Sequence, residues 1–285
     1  MKKVPPLAFL AVLTMLMTAC IHDDEADCRF GYTVEINVQD KNYDNIGQFP
    51  QLSREDENQP FSHFSGTIYY MLTDVKTKKS IRQSEVISTS SSSPTYSLVF
   101  DNLPTGEYSL DVWGNLTSDV PAGTLHPGSK EHTDIYAASA QFSITDKDAS
   151  TQLKLKRAKG KLIVFCSNFP DNIVRMHQSL TNVYGQADAA LNYSQPTNVE
   201  KDSAPLEENS FFVAPTPSGQ KSQLTLSFYT ADDSKPILTV PNVEQNITRN
   251  AISAMTVDYD SVNNAWNIWT YSDGEWMLLH HLTIE

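Results

Sequence analysis

Phe30-Gly31-Tyr32-Thr33-Val34-Glu35-Ile36-Asn37-Val38-Gln39 alternates large apolar residues (Phe30, Tyr32, Val34, Ile36, Val38) with small or polar ones, without a break. A period of two residues places every second side chain on one face, so the stretch reads as a β-strand with one buried face. The same period returns at Gly66–Asp74, Ile81–Ile87, Tyr96–Phe100, Glu107–Trp113, Ala140–Ile144 and Gln152–Leu155. No segment among them holds apolar residues at i, i+3, i+4 and i+7 over three turns, so no helix is expected there. About seven strands is the number of a β-sandwich.

The connections follow from turn and loop chemistry. Asp40 to Ser62 is polar, with Pro50, Pro60 and the charged run Arg54-Glu55-Asp56-Glu57, and reads as a loop. In Leu103-Pro104-Thr105-Gly106-Glu107-Tyr108-Ser109-Leu110, Pro104 presets a tight turn, Gly106 tolerates its exit, and Tyr108, Leu110 and Val112 alternate into a core. This Leu-Pro-x-Gly-x-Tyr-x-Leu run resembles the turn-into-strand motif of transthyretin-like sandwiches. Lys154, Lys156, Arg157, Lys159 and Lys161 concentrate basic charge near the middle of the chain, which reads as a solvated strand face and linker; a lipid-headgroup or partner contact is the sharper alternative. The boundary falls near Ala158, because Lys161–Ser167 starts a fresh strand with apolar residues on both faces. Further strands read at Ile173–Val183, Ser210–Ala214, Gln223–Thr230, Ile237–Val240, Ile247–Ala251, Met255–Tyr259, Ala265–Tyr271 and Glu275–Glu285. Gln186–Leu206 reads as a long polar loop and Asp260–Asn264 as a hairpin loop. The expected fold is all-β: two tandem transthyretin-like β-sandwich domains, residues 30–157 and 158–285, after a lipoprotein signal peptide.

The beginning of the chain supplies that signal. Lys2-Lys3, an apolar run from Val4 to Met17 and then Thr18-Ala19-Cys20 have the layout of a secretory leader, residues 1–19. The run is shorter than the roughly 18 residues that cross a bilayer. Small residues before a cysteine resemble the bacterial lipobox, in which the thiol is acylated and the peptidase cuts between Ala19 and Cys20; Met17 stands where Leu is commoner. A plain secretory signal with Cys20 an ordinary thiol is the bland alternative. Ile21-His22-Asp23-Asp24-Glu25-Ala26-Asp27 then reads as an acidic tether, so residues 20–29 join lipid to body. Acidic residues after a lipidated cysteine also resemble an export signal of Bacteroides-type bacteria.

Composition narrows the function classes. Removing residues 1–19 takes away Lys2 and Lys3 and no acid, leaving 19 basic and 34 acidic side chains, a formal charge of −15. Such a surface repels phosphate backbones and anionic headgroups, so no nucleic acid is expected and acyl chains must do the anchoring. A hydrophobic content of 40% suffices for packed cores. Cys28 and Cys166 either pair in an oxidising compartment or are separately buried.

Catalytic signals are poor: no Gly-x-Ser-x-Gly, no phosphate-cradling loop, no His-Glu-x-x-His and no dinucleotide turn. No enzyme activity, cofactor or small-molecule substrate is expected. His126, His132 and Asp134 share a loop without metal-ligand spacing and read as solvated residues rather than ligands. His280 and His281 fall on opposite faces of a regular strand. Asp258, Asp260, Asn263 and Asn264 offer oxygen ligands but lack the mid-loop Gly and closing Glu of a calcium loop, so a plain hairpin is the preferred reading. Tyr259, Trp266, Trp269, Tyr271 and Trp276 are core residues, a subunit contact or a sugar platform. The last of these belongs to the alternative reading, a surface glycan-binding lipoprotein of a nutrient-uptake system.

Taken in order, the motifs resemble one family. The lipobox cysteine and acidic tether, Cys28 before the first strand, Val112-Trp113-Gly114-Asn115, and Leu155-Lys156-Arg157 leading into Lys161-Leu162-Ile163-Val164 are similar to the FimB-type fimbrial anchor subunits of Bacteroides-type bacteria. The resemblance spans essentially the whole chain. It implies two transthyretin-like domains, a lipid anchor in the outer membrane, surface exposure and fimbrial shaft subunits as protein partners. In such fimbriae a shaft subunit loses its first strand and accepts a neighbour's C-terminal strand. Here the first strand joins the body to Cys20 and is expected to be retained, which would end growth. The candidate donor strand places Trp276, Leu278, Leu282 and Ile284 on one face, interrupted by His280; alternatively Glu275–Glu285 completes the second sandwich.

Overall fold

The computed structural model describes residues 29–90, 92–145, 149–232, 234–272 and 274–283. The first half contains β1 (Arg29–Val38), β2 (Thr67–Asp74), β3 (Ser80–Gln83), β4 (Ile87–Ser88), β5 (Tyr96–Pro104), β6 (Gly106–Gly114), β7 (Tyr136–Ile144) and β8 (Ala149–Arg157), with one helical turn, α1 (Phe61–Phe64). They form one sheet in the order β3-β2-β6-β7-β8-β1-β5, with β4 also on β2. The sheet folds over at β8, which pairs with β7 only at Tyr136–Arg157 and Ala137–Lys156 and then runs parallel to β1. Val34, Ile36, Phe100 and Leu155 thereby share a core with Ile68, Leu72, Leu110 and Val112.

β1 matches the alternating stretch to within a residue at each end, and Tyr32, Val34, Ile36 and Val38 are all buried. It is an interior strand, parallel to β8 on one side and antiparallel to β5 on the other. At the β5–β6 connection the Tyr108 hydroxyl donates to Pro104 O at 2.8 Å, fixing the turn. The left-handed residue there is Asn102, at φ 60°, rather than Gly106.

The second half holds β9 (Gly160–Ser167), β10 (Ile173–Ala187), β11 (Tyr193–Ser203), β12 (Glu208–Val213), β13 (Ser222–Thr230), β14 (Leu238–Gln245), β15 (Ile252–Asp260), β16 (Ala265–Ser272) and β17 (Glu275–Thr283). A sheet β11-β10-β13-β14 faces a sheet β12-β9-β15-β16-β17 across a core that includes Met176, Leu226, Phe228, Phe211, Val257 and Trp266. The molecule is thus all-β, with sandwich packing in both halves. Cys166 is a free thiol buried in this core, and burial pushes its pKa up to about 12; Cys28 lies outside the described residues.

Four expectations are corrected. Gln186–Leu206 is not a loop throughout, because β11 pairs with β10 from Met176–Ser203 to Ala187–Tyr193. Of the β11 side chains only Val199 is buried, so its backbone, not its apolar pattern, holds it in the sheet. Ile247–Ala251 is a turn, with Asn250 left-handed at φ 54°. The Asp40–Ser62 segment is polar in composition but buries Tyr43, Ile46, Phe49 and Phe61. Arg157 and Lys159 are buried rather than solvated, while Lys154 and Lys156 are exposed as expected.

Candidate functional site

Ala19, Cys20, the acidic tether and Ile284 lie outside the described residues, so the site is built from the rest of the expected set. Trp276, Leu278 and Leu282 all fall on β17, which forms the outer edge of its sheet beside β16. The ladder shifts between Ile268 and Trp269, leaving Leu279 as the extra residue of a bulge. One added residue reverses the faces on either side of it. Leu282 therefore sits opposite Trp266 and packs on the inner core, while Trp276 and Leu278 sit opposite Tyr271 and Trp269 on the outer face. The single apolar face expected for the strand is split in two.

Trp276, Met277, Leu278 and Leu279 are 37%, 50%, 49% and 41% exposed, four large apolar residues in a row. From Trp276 to Leu282 the strand carries no Pro, Lys, Arg, Asp or Glu. Edges of soluble sheets are ordinarily blunted by such residues or kept short. The other edges here obey that rule. β3 and β12 are short, β11 carries Pro196, Glu200, Lys201 and Asp202, β14 carries Pro241 followed by left-handed Asn242, and β5 ends in Asp101 and Pro104. β17 has the bulge and one charge, Glu275, at its start. Next to it, Phe165, Tyr271 and Trp276 stack edge to face, with centroids 6.3 and 5.3 Å apart, and Phe49 extends the row to Tyr271 at 4.8 Å. The first-half segment containing Tyr43, Ile46 and Phe49 thus covers the near part of this sheet's outer face against Ile163, Ile252 and Ala254, leaving the β17 side open.

The five clustered aromatics divide accordingly. Trp266 is buried, with Tyr259 and Phe169 against it at 4.7 and 4.9 Å; Trp269 and Tyr271 are half-buried, and Trp276 is exposed. Of the three tryptophans, Trp266 is a core residue and Trp276 is the one exposed on the outer face.

What holds β17 in place relative to β1 is the seam between the halves. Among the described residues no ladder crosses it, and two isolated bridges do, Thr124–Gln186 and Lys130–Glu200. Arg157, at the end of β8, donates its backbone N–H to Asp40 Oδ2 (2.9 Å) and Nη2 to Asp40 O (3.0 Å), and its Nη1 pairs with Asp134 Oδ2. Its guanidinium lies over Tyr43 (4.0 Å) and Tyr136 (5.1 Å). Burial by itself would lower its pKa, but Asp134 and the two phenols hold it above the ordinary guanidinium value. Arg249 from the second half pairs with the same Asp40 and donates to Arg157 O at 3.1 Å. Asn45 and Ile252 exchange two hydrogen bonds at 2.8 Å, and Tyr193 donates to Ala158 O at 2.7 Å. Beyond the basic run that contains Arg157, no sequence signal marked this set, because its partners are far apart in the chain.

The remaining candidates part company. His126 is buried, Asp134 is bound to Arg157, and His132 Nε2 meets Thr117 Oγ1 at 3.2 Å, so the first two are not the solvated residues expected. Asp258 Oδ1 accepts from Ser167 and Asn168 at 2.6 and 2.7 Å, whereas Asp260 accepts from the backbone of Val262 and Asn263 and caps the hairpin. Among the described residues no three metal-ligating side chains converge, and no helix is long and apolar enough to cross a membrane.

No family model matches the sequence, and neither does any curated protein. Solved structures do share the fold. A candidate adhesin from Bacteroides ovatus aligns over 88% of this chain and 95% of its own, with a TM-score of 0.54 and 9% identity. The fimbrial anchor protein Mfa2 from Porphyromonas gingivalis aligns over 89% of this chain and all of its own, at 0.51 and 12%. A candidate polysaccharide-binding protein from Bacteroides thetaiotaomicron aligns over 89% and 98%, at 0.51 and 10%. The resemblance to fimbrial anchor subunits thus extends to the three-dimensional fold.

Proposed function

We propose that this chain is a non-enzymatic anchor subunit of a fimbrium, held at the outer membrane through lipid on Cys20, that docks shaft subunits by strand addition and ends their growth. The observation that carries the reading is β17, a long sheet edge that from Trp276 to Leu282 has none of the charges or proline that would keep another strand away. A partner strand laid along it would pair with its free backbone groups and cover Trp276 and Leu278 beside the aromatic row. The fold shared with a fimbrial anchor protein supports the same assignment. Termination follows from β1: the strand leading back to Cys20 is paired on both edges and buried, so no groove is vacant where a shaft subunit would accept a donor. The two sandwiches, residues 30–157 and 158–285, then divide the work, the first carrying the tether and the second the docking edge.

The test pairs two variants. Cys20→Ser should release the protein, and fimbriae with it, into the medium; fimbriae that remain on the cells would refute the anchor role. Trp276→Glu with Leu278→Glu leaves the inner core untouched, and should weaken shaft binding by about 30-fold or more, as loss of a hot spot does. Unchanged binding in a folded double variant would remove β17 as the docking edge.

A further inference from the structure

From Leu116 to Asp134 the first half sends an arm across the second. Leu125 N–H donates to Gly185 O (2.9 Å), Ala187 N–H to Gly123 O (3.0 Å), and Phe212 N–H to Glu131 Oε1 (2.7 Å). Lys130 pairs with Glu200 (2.9 Å) and Lys201 with Glu131 (2.7 Å). At the centre of the arm His126 is 5% exposed, and its Nε2 accepts the backbone N–H of Ala214 at 2.9 Å. That bond requires a lone pair on Nε2, so the ring proton sits on Nδ1, which faces Lys130 O at 3.3 Å. Both nitrogens are committed, and the imidazole is neutral.

A second proton would set an N–H against the Ala214 N–H, and Ala214 is fully buried, out of reach of bulk solvent that could replace the lost acceptor. The neighbouring charges do not compensate. Beside the ring on its own arm is His132; from the segment between β8 and β9 comes Lys159, whose Nζ donates to His132 O at 3.1 Å. Glu131 is taken by Phe212 and Lys201, Glu200 by Lys130, and Asp134 by Arg157.

We propose that His126 is an acid-sensitive clasp: protonation of its imidazole frees the arm locally from the second half while both sandwiches stay folded. The sign follows from the two states. Burial, and then Lys159, hold the pKa of the clasped ring well below the ordinary imidazole value. The neutral clasp is therefore at full strength above about pH 6.5, and opening grows about tenfold per pH unit below that until the folded value is reached.

Amide hydrogen exchange of the full chain at about pH 7.5 and about pH 5, corrected for intrinsic rates, reads this directly. Protection of Ala214 and of residues 120–133 should fall by more than about tenfold in the wild type. In His126→Gln, whose amide can accept from Ala214 and donate to Lys130 without titrating, it should change by less than about threefold. Protection that is unchanged in the wild type, or lost equally in the variant, overturns the clasp. If the variant does not fold, the ring nitrogen shifts of wild-type His126 decide: an Nδ1–H tautomer that titrates well below the ordinary imidazole value is expected, and an ordinary titration near about 6.5 overturns the proposal.

Discussion

Lys159 is fully buried, and among the described residues its ammonium donates to one carbonyl, that of His132. Burial pulls its pKa down to about 7, with Asp134 and Glu131 opposing only in part. The unfolded chain keeps this proton up to about pH 10.4, so between about 7 and 10 the unfolded state binds more protons and stability rises with pH. Below 7 both states hold the proton and the penalty is constant. Lys159→Met should therefore raise the melting temperature at pH 6.5, with the gap narrowing toward pH 10; a gap that does not narrow would show that the charge is not the cost. Arg157 has the opposite balance, since its removal strands the buried Asp134 carboxylate and the Asp40 carbonyl, and Arg157→Ala should lower the unfolding free energy by about 3–5 kcal/mol in denaturant titration. Gly160 is fixed by space: a Cβ there would lie 2.3 Å from the Thr248 carbonyl. The basic run was visible in the sequence, but the burial of Arg157 and Lys159 was not. Charged residues near a boundary read as solvated unless the distant partners, Asp40 and Asp134, are known to arrive.

At the scale of elements, β1 was readable because each second residue enters the core, and the turn at Pro104 because proline and Tyr108 fix it locally. β11 was not, because its sheet position rests on backbone pairing with β10 and only Val199 reports burial. β17 was found, yet its faces were misassigned, since a count of two cannot foresee the bulge at Leu279. The bulge also explains why the β17 edge has mixed chemistry. Its Leu282 end is part of the inner core, whereas its Trp276 end is free. Leu282→Glu should thus destabilise the fold more than Trp276→Glu, which loses only the edge-to-face contacts with Phe165 and Tyr271, each worth about 0.5–1.5 kcal/mol in denaturant titration. Equal destabilisation by the two would place both residues in the core.

Across the whole molecule, the halves share apolar clusters as well as ion pairs. Trp113, Leu125, Ile135 and Ala158 pack with Ala187, Ala189 and Ala214, and Tyr43, Ile46 and Phe49 with Ile163, Ile252 and Ala254. The halves are thus joined by packing as well as by charge, so calorimetry at neutral pH should record one cooperative transition; two resolved transitions would mean that the seam contributes little. Part of this seam was legible in the sequence, since the two apolar faces of Lys161–Ser167 point to a strand lying against the first half and Ile163 packs there; Tyr43 and Phe49 were not, because a segment of polar composition hides isolated aromatics. One consequence concerns force. β1 is paired along both sides, so a pull on its N-terminal end, directed along the strand, loads the rungs of two ladders in shear and all together rather than unzipping them one by one. A lipid at Cys20 would hold the body as a rope is held when spliced into a cable, with resistance spread over the length of the strand.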